Sequence, residues 1–153
     1  MRKFLFAGAF ALAVAALAAA ATVTTPARAV DNMTSTAPVD LTSVRAKIKA
    51  QNYKAALEEL RQLADDTQHA DVYNLLGFTL RKTGDYATAL TYYTKALEMQ
   101  PDHKAAREYI GELFVETGKL DKAKEQLAIL VKLCPTGCEE REDLEKAIAK
   151  AGK

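Results

Sequence analysis

The sequence predicts an all-α protein built as a solenoid of stacked helix pairs, and three observations support this fold class. From residue 39 onward, apolar residues recur at every third or fourth position, which is the period of an amphipathic helix. Alanine, leucine, glutamate and lysine dominate this region, and no run of alternating β-branched residues indicates a strand. Glycine and proline interrupt the pattern only at wide intervals, where helices are expected to end.

The first 29 residues have the order of a secretory signal peptide. The short basic start Met1–Lys3 precedes the uncharged apolar run Phe4–Ala21, and the segment closes with small residues at Ala27 and Ala29. We therefore expect cleavage after Ala29 and export to the periplasm. A retained transmembrane anchor is the alternative, because the apolar run is nearly long enough to cross a bilayer.

Removal of residues 1–29 leaves 124 residues, a length that fits one domain. The remaining chain carries 18 basic and 20 acidic residues. Since general nucleic-acid binding requires a strong basic excess, this near-neutral balance argues against a nucleic-acid partner. We expect the polar, turn-rich segment 30–38 to form a flexible leader.

Two consecutive segments, 70–103 and 104–137, align without a gap at a spacing of 34 residues. The alignment pairs Gly77 with Gly111, Leu76 with Ile110, Gly84 with Gly118, Ala89 with Ala123, and Pro101 with Pro135. Small residues such as Gly77 and Ala89 suit positions where two helices cross closely. Gly84 suits the left-handed conformation that ends a helix, and Asp85 can cap the helix that follows. One helix pair cannot bury its apolar face alone, so the pairs must stack.

In this period and at these positions the chain resembles the tetratricopeptide repeat family. The resemblance implies three helix pairs: a divergent first repeat at 39–69, a second at 70–103 and a third at 104–137. A capping helix at 138–153, with a polar face turned outward, would close the solenoid. The family also implies that the first helix of each pair lines a concave groove, which holds an extended peptide or a partner helix.

By register with the family, the groove-facing positions change from basic to acidic along the solenoid. They are Arg45 and Lys49 in the first pair, Asp71, Asn74, Phe78, Arg81 and Lys82 in the second, and Ala105, Glu108, Glu112 and Glu116 in the third. We predict that Phe78 is an apolar anchor, and that the bound segment is acidic toward Arg45 and Arg81 and basic toward Glu112. Glu108 and Glu112 argue against clamping of a C-terminal carboxylate. Ordinary solvated helix faces are the alternative interpretation.

The sequence contains no recognisable catalytic or cofactor-binding motif. Gly84 and Gly118 end helices rather than forming a phosphate loop, and nucleophile motifs of the hydrolase kind are absent. His69 and His103 occupy equivalent inter-repeat positions, and we interpret them as exposed loop residues rather than metal ligands. The prediction is therefore a non-enzymatic adaptor without cofactor or metal, whose partner is a protein or peptide. Self-association through the divergent first helix is an open alternative.

Cys134 and Cys138, the two cysteines of the chain, flank a Pro-Thr-Gly turn between the third helix pair and the predicted cap. Cysteines in an oxidising compartment favour a disulfide, and a turn of this length can bring two Cα atoms within disulfide reach. We predict a structural disulfide that holds the cap. The alternative function is a thiol-redox or envelope-maturation accessory that acts through Cys134 and Cys138, and free or metal-bound thiols are a further alternative.

Overall fold

The computed structural model describes residues 38–153, and this part of the chain consists of seven α-helices without a strand. The helices are α1 (Thr42–Lys49), α2 (Tyr53–Asp66), α3 (Ala70–Lys82), α4 (Tyr86–Met99), α5 (Lys104–Glu116), α6 (Leu120–Leu133) and α7 (Glu139–Ala151). The predicted signal peptide, its cleavage at Ala29 and residues 30–37 of the predicted leader lie outside the described residues. No helix within 38–153 is long and apolar enough to cross a membrane.

Helices α1 with α2, α3 with α4, and α5 with α6 form three helix pairs that stack on one another, and α7 packs against both α5 and α6. The predicted fold class, an all-α solenoid of three helix pairs with a C-terminal capping helix, is confirmed. Its interior is filled mainly by apolar side chains from all seven helices, among which Val44, Leu60, Leu76, Tyr93 and Leu144 are buried.

The turn inside the second pair has the geometry that the sequence predicts. Gly84 has a φ of +87°, a conformation that favours glycine because it has no Cβ. The N–H of Gly84 donates to the carbonyl of Arg81 at 3.0 Å, and the N–H of Asp85 donates to that of Leu80 at 3.0 Å. These two bonds form a Schellman motif that satisfies carbonyls at the end of α3. The side chain of Asp85 then accepts from the N–H of Thr88 at 3.2 Å and caps α4.

Two further glycines allow close helix crossings. A Cβ at Gly77 would lie 2.6 Å from the ring of Tyr93 in α4, and a Cβ at Gly111 would overlap with Leu144 in α7. Gly77 therefore brings together the two helices of one pair, whereas Gly111 lets the terminal helix approach α5.

An arginine that recurs at the same repeat position in α5 and α7 stabilises the loops before these helices, and it was not among the residues expected to do so. Arg107 Nη2 donates to the carbonyl of Pro101 at 3.2 Å, and Arg141 Nη1 donates to the carbonyl of Pro135 at 3.4 Å. The proline and the arginine of each pair recur with the 34-residue period, so the loops that precede α5 and α7 are held by equivalent hydrogen bonds.

Candidate partner-binding groove

A cavity of about 220 Å³ opens between α1, α3 and α5, the first helices of the three pairs. It is lined by Arg45, Ile48, Lys49, Leu75, Phe78 and Tyr109. The lining combines aliphatic and aromatic side chains with two cations, Arg45 and Lys49, that are exposed. The structure thus brings three of the predicted groove residues, Arg45, Lys49 and Phe78, to one cavity. We call this cavity the α1–α3–α5 pocket.

Tyr109 forms part of the pocket wall, although the sequence analysis did not select it. Its ring lies 5.0 Å from that of Phe78, centroid to centroid, in a tilted arrangement. Burial, together with the nearby carboxylates of Glu108 and Glu112, raises the pKa of Tyr109 to about 12. Its hydroxyl is therefore protonated at neutral pH and can donate a hydrogen bond. Tyr109 lies 34 residues after Leu75, which also lines the pocket, and this repeat equivalence is the sequence signal that could have identified it.

Arg81 is buried, with 2% of its surface exposed, rather than free in the groove. Its Nη2 contacts Oε2 of Glu112 at 2.5 Å, and its Nη1 contacts Oε1 of Glu116 at 2.6 Å. Its guanidinium carbon also lies 5.5 Å from the ring centroids of Phe78 and Tyr109. The predicted polarity treated Arg81, Glu112 and Glu116 as separate charges, but Arg81 contacts both acids and offsets one of their two formal negative charges. Arg45 and Lys49 thus remain as the exposed basic charges of the pocket.

The two remaining groove positions, Lys82 and Ala105, differ in exposure and in charge. Lys82 is exposed and places its Nζ 5.3 Å from the ring centroid of Phe78, at the edge of the pocket. Ala105 is half-buried near the start of α5. Lys82 therefore adds a cation beside Phe78, and Ala105 adds no charge.

Glu108 is also nearly buried, with 9% of its surface exposed. Burial, together with the nearby carboxylates of Glu112, Asp143 and Glu140, raises its pKa to about 8, although Arg81 acts in the opposite direction. Asn74, which is 4% exposed, occupies the equivalent position of the preceding repeat. Within residues 38–153 its Oδ1 atom has no hydrogen-bond partner. These two predicted groove residues are thus buried acceptors rather than solvated side chains.

The expectation that His103 is an exposed loop residue is wrong, because only 8% of its surface is exposed. Its Nδ1 accepts from the N–H of Ala106 at 3.3 Å and caps α5, while its Nε2 lies 2.9 Å from Oδ1 of Asp71. The hydrogen bond with His103 lowers the pKa of Asp71. His69 caps α3 similarly by accepting from the N–H of Asp71 at 3.2 Å. In the described part of the chain no three potential metal ligands cluster.

Cys134 and Cys138 lie at disulfide distance, with their Cα atoms 6.0 Å apart. The N–H of Gly137 donates to the carbonyl of Cys134 at 3.0 Å and closes the turn between them, and Gly137 has a φ of +102°. Cys134 directly follows the last residue of α6 and is 7% exposed, and Cys138 directly precedes the first residue of α7. The pair therefore joins the last helix pair to the terminal helix.

The stacked helix pairs and their concave pocket define a helical-repeat protein. Two family models described as tetratricopeptide repeat match residues 50–102 and 80–133, and together they span more than half of the chain. The chain belongs to the tetratricopeptide repeat family. This membership supports protein–protein interaction as the general function and a protein as the partner.

Two individual proteins show how far the similarity extends. The uncharacterized protein ycf37 of Guillardia theta is 39% identical over 74 residues, which is 48% of this chain and 41% of ycf37. The match therefore spans less than half of that relative. The structure of the type III secretion translocator chaperone SycD of Yersinia enterocolitica has a TM-score of 0.64, with 72% of this chain and 79% of SycD covered. Its sequence identity of 16% makes this a similarity of fold.

Proposed function

We propose that this protein is a non-enzymatic adaptor of the periplasm, which binds an extended segment of a partner protein in its concave groove. The observation that carries the proposal is the α1–α3–α5 pocket, where an apolar and aromatic lining lies beside two exposed cations. The order of residues 1–29, typical of a signal peptide, supports the periplasmic location.

The lining of the pocket determines the chemistry of its ligand. A leucine or phenylalanine buried against Leu75, Phe78 and Tyr109 would contribute about 2 kcal/mol, since full burial of such a side chain is worth 1.5–3 kcal/mol. Arg45 and Lys49 are exposed and attract an acidic residue of the ligand. Exposed charges contribute more to selectivity and association rate than to affinity. The preferred segment therefore carries an aspartate or glutamate close to a large apolar residue.

Site-specific photo-crosslinking in the native envelope tests this function. The photoreactive residue p-benzoylphenylalanine is placed either at Lys82, beside Phe78, or at Thr91, an exposed position of α4 outside the pocket lining. We expect a discrete crosslinked partner from position 82 and none from position 91. The product should disappear when Arg45→Glu and Lys49→Glu are combined. Equal products from both positions, or a product that survives the double reversal, would argue against binding in the groove.

The same cell fractions test the location. We expect the protein in the periplasmic fraction, with a mature mass that corresponds to cleavage after Ala29. Recovery of the uncleaved chain in the membrane fraction would favour a retained anchor instead.

A further inference from the structure

We propose that the acidic end of the groove holds a lysine or arginine side chain of the bound segment, with Glu108 as its anionic partner. The inference rests on the proposed function, because it names a second contact of the same bound segment. The predicted contact is between one residue of the protein, Glu108, and one class of partner side chain, whereas the sequence predicted only a general change of charge along the groove.

Among residues 38–153, Glu108 is the acidic groove residue for which the structure shows no partner. Asp71 contacts His103, and both Glu112 and Glu116 contact Arg81. Among residues 38–153, no ion pair and no side-chain hydrogen bond involves the carboxyl group of Glu108. The carboxyl oxygens of Glu108 are not among the fully buried side-chain atoms without a partner, so they keep some contact with solvent and an incoming group can reach them. The missing element is a cation or a hydrogen-bond donor.

The groups around Glu108 come from three helices, and most of them are negative. Glu112 lies one turn further along α5, while Glu140 and Asp143 face it from α7. Two positive groups lie among them: the terminal nitrogens of Arg81 in α3 contact Glu112 and Glu116, and Nζ of Lys146 in α7 contacts Asp143 at 2.9 Å. Among residues 38–153, Glu140 has no ion-pair partner, so the acids still outnumber the cations. The local excess of negative charge therefore favours an incoming cation.

Asn74 provides a second, independent observation. It occupies the position of Glu108 in the preceding repeat, on the neighbouring first helix, and is 4% exposed. Its Oδ1 atom has no donor within the described residues. Two polar side chains without a hydrogen-bond partner among the described residues thus occupy the same repeat position on adjacent helices. The side chains that supply several N–H donors together with a positive charge are those of lysine and arginine.

The charge state of Glu108 gives the subsite a measurable signature. Because its pKa is raised to about 8, Glu108 is mostly protonated in the free protein at neutral pH. A cation beside it favours the carboxylate, so binding of lysine transfers the Glu108 proton to the buffer. A carboxyl group with a purely structural role would keep its proton when a peptide binds.

The experiment uses synthetic peptides with an aspartate and a leucine at varied spacing, and with lysine scanned through the following positions. Each lysine peptide has a counterpart with norleucine, which has a similar length and no charge. Titration calorimetry in buffers of different ionisation enthalpy gives the affinity and the number of protons released between pH 6.5 and 8.5. The proteins are the wild type, Glu108→Gln and the matched control Glu125→Gln, which alters an exposed carboxylate of α6.

For one register of lysine we expect the wild type to bind about tenfold more tightly than the norleucine counterpart, as for a charge-assisted hydrogen bond. Nearly one proton should leave per complex at pH 7, and the lysine preference should increase with pH up to about 8. Glu108→Gln should lose both the lysine preference and the proton release. The histidines are unchanged in this variant, so the loss would assign the released proton to Glu108. Glu125→Gln should keep both.

Each outcome decides a separate point. Equal binding of all lysine and norleucine peptides, with binding still abolished by Arg45→Glu and Lys49→Glu, would overturn the lysine subsite and leave the proposed function intact. Absence of binding across the whole peptide set would overturn both. If Glu108→Gln does not fold, the wild-type protein alone is sufficient for the test. Proton release on binding of the lysine peptide but not of the norleucine peptide supports the lysine subsite, and absence of proton release contradicts it.

Discussion

Nη2 of Arg81 in α3 lies 2.5 Å from Oε2 of Glu112 in α5, and this ion pair connects the second and third repeats along the groove. The guanidinium is almost inaccessible to solvent, whereas the side chain of Glu112 is 26% exposed. Arg81 also contacts Glu116 at 2.6 Å. One buried cation thus contacts two acids, and it connects the two helices that form much of the groove.

Arg81→Met should lower the free energy of unfolding by about 2 kcal/mol, because it leaves two partly buried carboxylates without their shared cation. Urea unfolding measures this loss. Arg61→Met, at an exposed position of α2, is the matched control and should change stability by less than about 0.5 kcal/mol. In the Arg81→Met background, Glu112→Gln should cost less than it does alone. Strictly additive losses would contradict the coupling.

A second prediction concerns the close crossing of α3 and α4 at Gly77. Gly77→Ala should destabilise the protein by about 1–3 kcal/mol, because the new methyl group overlaps with the ring of Tyr93. Gly111→Ala should also destabilise the protein, since the new Cβ would overlap with Leu144, which is fully buried. Gly152→Ala, where the nearest atom is 3.6 Å away, is the control and should have little effect. Wild-type thermal stability in Gly77→Ala would contradict the observed crossing.

A third prediction concerns the disulfide between α6 and α7. We propose that Cys134 and Cys138 form a permanent disulfide that holds α7 on α5 and α6. By the chain-entropy estimate for so short a loop, Cys134→Ser with Cys138→Ser should reduce the free energy of unfolding by about 2 kcal/mol. Capture of the partner below the unfolding temperature should be unchanged. Loss of capture by a variant that is still folded would favour the thiol-redox alternative, and two free thiols in the exported protein would exclude the permanent disulfide.

Glu108 makes stability depend on pH in a predictable direction. Its pKa is about 8 in the folded protein and near its ordinary value of 4.5 in the unfolded chain, so between these values the folded state binds more protons. The contribution of Glu108 to stability is therefore fully present below about pH 4.5 and is lost as the pH rises toward 8. Between pH 5.5 and 8, urea unfolding should show the wild type losing about 2–3 kcal/mol relative to Glu108→Gln. Parallel pH profiles would contradict the burial of this carboxyl group.

The repeat architecture could be predicted from the sequence because its determinants are local. The 34-residue spacing, the left-handed Gly84 and the cap at Asp85 each depend on a few neighbouring residues, and the structure confirms all three. Pocket residues Arg45, Lys49 and Phe78 followed from the helical register, which assigned them to one face.

The burial of Arg81, Glu108 and His103 could not be predicted in the same way. Arg81 contacts Glu112, which is 31 residues away, and His103 contacts Asp71, which is 32 residues away. Register shows that such residues lie on the same side of neighbouring helices. Whether their side chains meet or point into solvent depends on the curvature of the stack and on the approach of α7, which local spacing does not determine.

Binding of the aspartate–leucine peptides to charge-reversed variants shows whether the α1–α3–α5 pocket is the partner site. Fluorescence anisotropy compares the wild type with two double variants of equal charge change: Arg45→Glu with Lys49→Glu in the groove, and Lys54→Glu with Arg61→Glu on α2. All four residues are exposed, so both variants should fold. We expect the groove variant to bind at least about tenfold more weakly, and the α2 variant to bind within about twofold of the wild type. Equal weakening in both variants, or wild-type affinity in the groove variant, would contradict binding in the α1–α3–α5 pocket.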